Sequence, residues 1–141
     1  VVRLRPRELK LYIMEGLFRK LVYIAHPISG DVDANLADLA RVLRIINLDI
    51  HPLRWKMRGD AADYDFSNII PIAPYYADII ALDDTKPLER KRGMDNGLAI
   101  ILTGIFDELW LTGNTISLGM KEEIKLFRSL GTPIIDYTNK I

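Results

Sequence analysis

Three observations predict an α/β fold: a single three-layer domain with a mostly parallel sheet of four or five strands and helices on both faces. Short β-prone runs alternate with amphipathic helical stretches, capping and turn residues separate them, and 141 residues is the size of one domain. With 49% hydrophobic and 27% charged residues, the chain carries enough apolar side chains to offset its ordering entropy, which argues against intrinsic disorder.

The elements follow in order. Residues 1–20 mix charges with Leu4, Leu9, Leu11, Ile13, Leu17 and Phe18 in loosely helical spacing, and read as an N-terminal appendage ahead of a domain at 21–141. Residues 21–25, Leu-Val-Tyr-Ile-Ala, form a buried strand stopped by His26-Pro27. After the loop 28–31 a helix starts, capped by Asp31 or Asp33. Leu36, Leu39, Ala40, Leu43 and Ile46 form its apolar stripe, with Asp38, Arg41 and Arg44 off it. Residues 48–67 are polar and aromatic without a clean period, a long connection or a helix extension carrying Trp55. Residues 69–73 give a second strand, ended by Pro74. Pro87 suits the first turn of a second helix with an apolar stripe of Met94, Leu98, Ile101, Leu102 and Ile105. A third strand spans 108–112, a loop 113–117, a third helix 118–130 ending at Gly131, and a last strand 133–137. Strands alternating with helices in this order predict a flavodoxin- or Rossmann-like sheet whose ligand site lies beyond the carboxyl ends of the strands.

Composition excludes several functions. Nineteen Lys+Arg balance nineteen Asp+Glu, so the chain has no global charge to attract polymeric nucleic acid or an acidic membrane. The absence of cysteine excludes disulfides, thiolate metal sites and thiol nucleophiles, and fits a reducing cytoplasm. His26 and His51 lack metal-ligand spacing, so neither a metal nor another cofactor is implied. The longest nearly apolar stretch, 69–82, is interrupted by Pro71, Pro74 and Asp78 and is too short to span a bilayer. A cytoplasmic protein is expected.

The third helix carries the most chemistry. Met120, Ile124 and Phe127 form its apolar stripe and Lys121, Lys125 and Arg128 its wet face, which turns Glu123 inward. One reading is an edge glutamate that reaches water; the other is a carboxylate at the mouth of the sheet, suited to nucleophilic or acid/base work. Ser29-Gly30 ahead of a helix can bind phosphate through backbone N–H groups or be ordinary turn chemistry. The run 89–92, Glu-Arg-Lys-Arg, can grip phosphate or be a solvated helix face. Trp110 belongs in a strand core, and Trp55, between Arg54 and Lys56, suits a lid, an interface or a surface feature.

The strand 107–112, the loop to Ser117-x-Gly119-Met120 and then Glu123 resemble the nucleoside 2-deoxyribosyltransferase superfamily. So does the first strand with His26-Pro27-Ile28-Ser29-Gly30 and Asn35 in the helix behind it. Leu82-Asp83-Asp84, Glu89-Arg90 and Arg92-Gly93 are closest to the superfamily's uncharacterised phage and bacterial members, and the resemblance covers roughly 21–137.

The resemblance implies a nucleoside or nucleotide N-glycosidase or 2-deoxyribosyltransferase. Glu123 would attack the anomeric carbon and Tyr23 would orient it, although a strand tyrosine is also a common core residue. His26, Pro27, Ser29, Gly30, Asn35, Asn114, Ser117, Gly119 and Met120 would bind a small nucleoside or nucleotide. His26 stands where the family often has a small residue, and would line or narrow the pocket. The family's further aspartate is absent at its usual spacing before Asp107, where Leu98 and Ala99 stand; Asp95 is the substitute, or else a plain helix-surface aspartate. The resemblance also implies a homo-oligomer. The competing expectation is a catalytically silent nucleotide-binding module that senses or sequesters its ligand.

Overall fold

The computed structural model describes residues 3–14, 19–55 and 64–141. Helix α1 (Pro6–Met14) precedes strand β1 (Lys20–Ala25), so Lys20, expected in the appendage, belongs to the first strand. Helix α2 (Val32–Leu48) follows, capped by Asp31, whose side chain accepts from the Ala34 N–H, and closed by Asp49 in the left-handed conformation. A 3-10 turn (Pro52–Trp55), strand β2 (Ile69–Ile72), helix α3 (Tyr75–Ala81) and helix α4 (Pro87–Leu102) come next. Strand β3 (Glu108–Leu111), helix α5 (Leu118–Ser129) and strand β4 (Ile134–Asp136) complete the domain. The Trp55 side chain lies outside what is described, as do Leu17 and Phe18.

All four strands are parallel, in the order β2-β1-β3-β4. The chain leaves β1 for β2 on one side and returns to β3 on the other, so the strand order reverses between β1 and β3, where open α/β sheets leave a crevice beyond the carboxyl ends. Pro71 is tolerated because β2 is an edge strand.

Alternation along the strands divides the core in two. Val22, Ile24 and Trp110 pack with Leu39, Val42 and Ile46 of α2 and with Phe66 and Tyr137. Tyr23, Ala25, Leu109 and Leu111 pack on the opposite face with Ile101, Phe106, Met120 and Phe127. Among the described residues no helix is long and apolar enough to cross a membrane.

Three expectations need correction. In α2 the buried residues are Leu39, Val42 and Ile46, and Ala40 is exposed, because the stripe continues from Leu39 at i+3 and i+7. Helix α3, absent from the sequence reading, starts directly after Pro74, which supplies a preset φ of −60° at the N-cap. In α4 only Ile101 is buried; Met94, Leu98, Leu102 and Ile105 stand exposed. The helix packs on α3 and α5 instead.

Candidate functional site

The carboxyl edge of the sheet is built from β1, the loop after β3, and the starts of α3 and α5. Alternation aims Tyr23 at the α4–α5 layer, where its ring meets Phe106 and Phe127 edge-on at 5.2 Å and Tyr75 at 6.0 Å. Ser117 caps α5, its hydroxyl oxygen accepting from the Met120 N–H at 3.2 Å. The first inward turn then carries Met120 into the core, and the next carries Glu123 to the same side. There the Tyr23 hydroxyl donates a hydrogen bond to Glu123 Oε2.

Electrostatics set the protonation of this pair. Burial pushes the Glu123 carboxyl up to about 7, against the Tyr23 hydrogen bond, which favours the ionised form. Burial, then the Glu123 charge, hold the Tyr23 phenol far above its ordinary range, so it remains a donor. Tyr75 is likewise held protonated, chiefly by burial, and donates to the Ile24 carbonyl at 2.6 Å. No Lys, Arg or His pairs with Glu123 among the described residues.

A second feature lies on the α2 side of the same edge. His26 Nε2 lies 2.8 Å from Asp38 Oδ2 and its Nδ1 lies 2.8 Å from the Pro27 carbonyl. Arg41 donates from Nε to Asp38 Oδ1 at 2.8 Å and from Nη2 to the Ile141 carbonyl at 2.9 Å. Burial raises the Asp38 carboxyl, but the hydrogen bonds from His26 and Arg41 outweigh it and leave it below the usual range. These side chains and Asn35 face Gly113, Asn114 and Asn139 across a polar cavity of about 380 Å³. Pro27 and Gly113 meet at the crevice between β1 and β3. Gly113 has φ +85°, and a Cβ on it would lie 2.6 Å from Pro27 Cδ.

The residues singled out in the sequence divide accordingly. Tyr23 and Glu123 come together, His26, Asn35 and Asn114 line the cavity, and Pro27 is a buried wall. Asn35 also donates to the Ile28 and Ser29 carbonyls, so it clamps the loop. Ser29 and Gly30 are exposed and do not line the cavity, Gly119 is exposed, and Ser117 serves as the cap. Two assignments are corrected. Met120 is core, 1% exposed, because it shares the inward turn with Phe127 and cannot reach a ligand. Asp95 stands exposed on α4 in an i,i+4 pair with Lys91 at 2.5 Å.

Tyr75, Asp38, Arg41 and Asn139 join the edge without having been singled out for it. Tyr75 had a usable signal: it follows the carboxyl end of a predicted parallel strand, where side chains face the mouth. Among the described residues no group of His, Asp or Glu is placed to hold a metal ion.

A family model described as a domain of unknown function, DUF7768, matches residues 57–137, more than half of the chain. The chain belongs to that family. The matched segment contains Glu123 and Tyr75 and leaves out β1 with Tyr23. No curated protein and no solved structure matches the chain.

Proposed function

We propose that this DUF7768 protein is a nucleoside or nucleotide N-glycosidase or 2-deoxyribosyltransferase that breaks the N-glycosidic bond through Glu123. The observation that carries the reading is the partly buried Glu123 carboxyl at the carboxyl edge of the sheet, held by Tyr23 and paired with no cation among the described residues. A carboxylate in that setting costs free energy that a glutamine or leucine would not, and such groups concentrate where chemistry is done. The resemblance of 107–124 to the nucleoside 2-deoxyribosyltransferase superfamily supplies the reaction class.

Tyr23 donates to Oε2 and so acts as a positioning residue, leaving Oε1 as the attacking oxygen. In the ionised form Oε1 attacks the anomeric carbon. The C–O bond forms as the C–N bond breaks, and the bonding pair leaves with the base, which takes up a proton. Water or a second base then attacks the same carbon and the bond to Glu123 breaks, restoring the carboxylate. With water as acceptor, the proton it loses balances the one the base gained. Only the ionised carboxylate is a nucleophile, so base release rises with pH through about 7.

A second reading, a catalytically silent nucleotide-binding module, draws on the cavity beside α2, whose lining does not include Glu123. A chromatographic panel of nucleosides and 5′-nucleotides separates the two. The glycosidase reading expects free base from at least one member, with Glu123→Gln lowering the rate by roughly 10³ or more while ligand-induced thermal stabilisation persists. Equal turnover by Glu123→Gln removes the nucleophile. Stabilisation by a nucleotide with no base released by the native chain leaves the binding module.

A further inference from the structure

A groove of about 370 Å³ runs along α5, lined by Ile116, Lys121, Ile124, Lys125 and Arg128. It shares no lining residue with the polar cavity beside α2. Ile116 and Ile124 are half-buried and pack on the core, so they form a fixed apolar floor, while the three cations stand exposed around them. None of the lining residues is acidic.

Helix stability does not account for these cations. Lys121 and Lys125 are at i,i+4 and Lys125 and Arg128 at i,i+3, spacings at which like charges repel. The helix dipole favours Arg128, in the last turn of α5, but not Lys121 or Lys125. Among the described residues none of the three makes an ion pair, with Glu122 beside them or with any other acid.

We propose that this groove docks an acidic segment of a partner protein, with one or two branched apolar side chains seated on Ile116 and Ile124 and Asp or Glu flanking them. The inference stands independently of the proposed chemistry.

Charge and shape choose the occupant. The chain is neutral overall, so a row of three unopposed cations about 10 Å long is a local feature that complements a local run of acids. Carboxylates at the rim and an aliphatic side chain on the floor satisfy both halves of the groove at once, in the way docked peptide segments use spaced anchors. A bilayer is flat and would leave the concave floor uncovered. A nucleic acid would use the cations alone, since no lining residue is aromatic and able to stack a base.

Panning a random peptide library on the native chain tests this. The expected enrichment is for peptides in which Asp or Glu flank Leu, Ile or Val. The affinity of an enriched peptide, fluorescein-labelled and read by fluorescence polarisation, is expected to fall at least ~10-fold in Lys125→Glu and less than ~2-fold in Arg44→Glu. Arg44 is an exposed cation of α2, so its reversal changes the net charge equally. A readout independent of any variant's folding is methyl NMR of the native chain, where the same peptide should shift Ile116 and Ile124 and leave Ile70 of β2 in place. A library that yields no acidic binder, equal losses in Lys125→Glu and Arg44→Glu, or shifts that spare Ile116 and Ile124 overturns the proposal. In the first case, phosphatidylserine vesicles or a single-stranded oligonucleotide that bind the native chain and not Lys125→Glu would assign the groove to a membrane or a nucleic acid instead.

Discussion

The two ends of the sheet hold their acids in opposite ways. At the amino end, Glu108 of β3 takes Lys20 Nζ at 3.0 Å and the Trp110 indole N–H at 3.1 Å, and Asp107 accepts from the Leu21 N–H at 2.8 Å. Charge and hydrogen bonds are matched, and the arrangement ties β1 to β3. At the carboxyl end, Glu123 receives one phenol hydrogen bond and no cation among the described residues. Counter-charge makes the first carboxylate structural; lack of it makes the second a group the fold holds at a cost, available for chemistry.

Exchanging each acid for its amide breaks the comparison most sharply. Glu123→Gln is expected to abolish base release and Glu108→Gln to spare it in folded protein. Their stabilities should change in opposite directions. The folded chain keeps the Glu123 proton to about 7 while the unfolded chain releases it near 4.5, so native stability falls as pH rises between those values. Glu123→Gln removes that loss and gains on the order of 3 kcal/mol above pH 7. Glu108→Gln leaves Lys20 without its partner and loses roughly 1–2 kcal/mol. Denaturant melts at pH 5 and pH 8 measure both.

The carboxyl edge is also tighter in its backbone. Gly113→Ala would place a methyl at 2.6 Å from Pro27 Cδ on a residue with φ +85°. A destabilisation of about 2–4 kcal/mol is expected, read by urea titration. A loss below ~0.5 kcal/mol would mean that the Pro27–Gly113 contact gives way.

The smallest effects come from the donors. Tyr23→Phe should lower base release about 10-fold and move its acidic limb to higher pH, because the lost hydrogen bond favoured the ionised Glu123. Trp110→Phe removes the matching donor from Glu108 and should leave the pH profile in place. A pH profile unmoved by Tyr23→Phe would show that the phenol does not set the carboxylate's titration.

Much of this contrast was legible in the sequence, where local rules govern. The β-prone run 21–25 marked β1, Asp31 or Asp33 was the expected cap of α2, the loop 113–117 led into α5, and the i+3, i−4 relation of Glu123 to Met120 and Phe127 turned it inward. Legibility ended where a contact depends on another element. Periodicity revealed an apolar stripe on α4 but could not say whether a neighbour covers it. Asp38 read as wet face because its partner, His26, sits in a loop twelve residues earlier. The α3 helix was hidden in an apolar run containing Pro74, and the Asp95 assignment rested on spacing that α4 turns toward solvent.

The central claim is that the fold holds a partly buried carboxyl at position 123 with no cation beside it among the described residues. Carbon-13 titration of glutamate carboxyls in the native chain, with the Glu123→Gln spectrum subtracted, tests it without need of a substrate. A resonance with its midpoint at about 7 is the predicted result. A midpoint near the ordinary glutamate value of 4.5 would contradict the account.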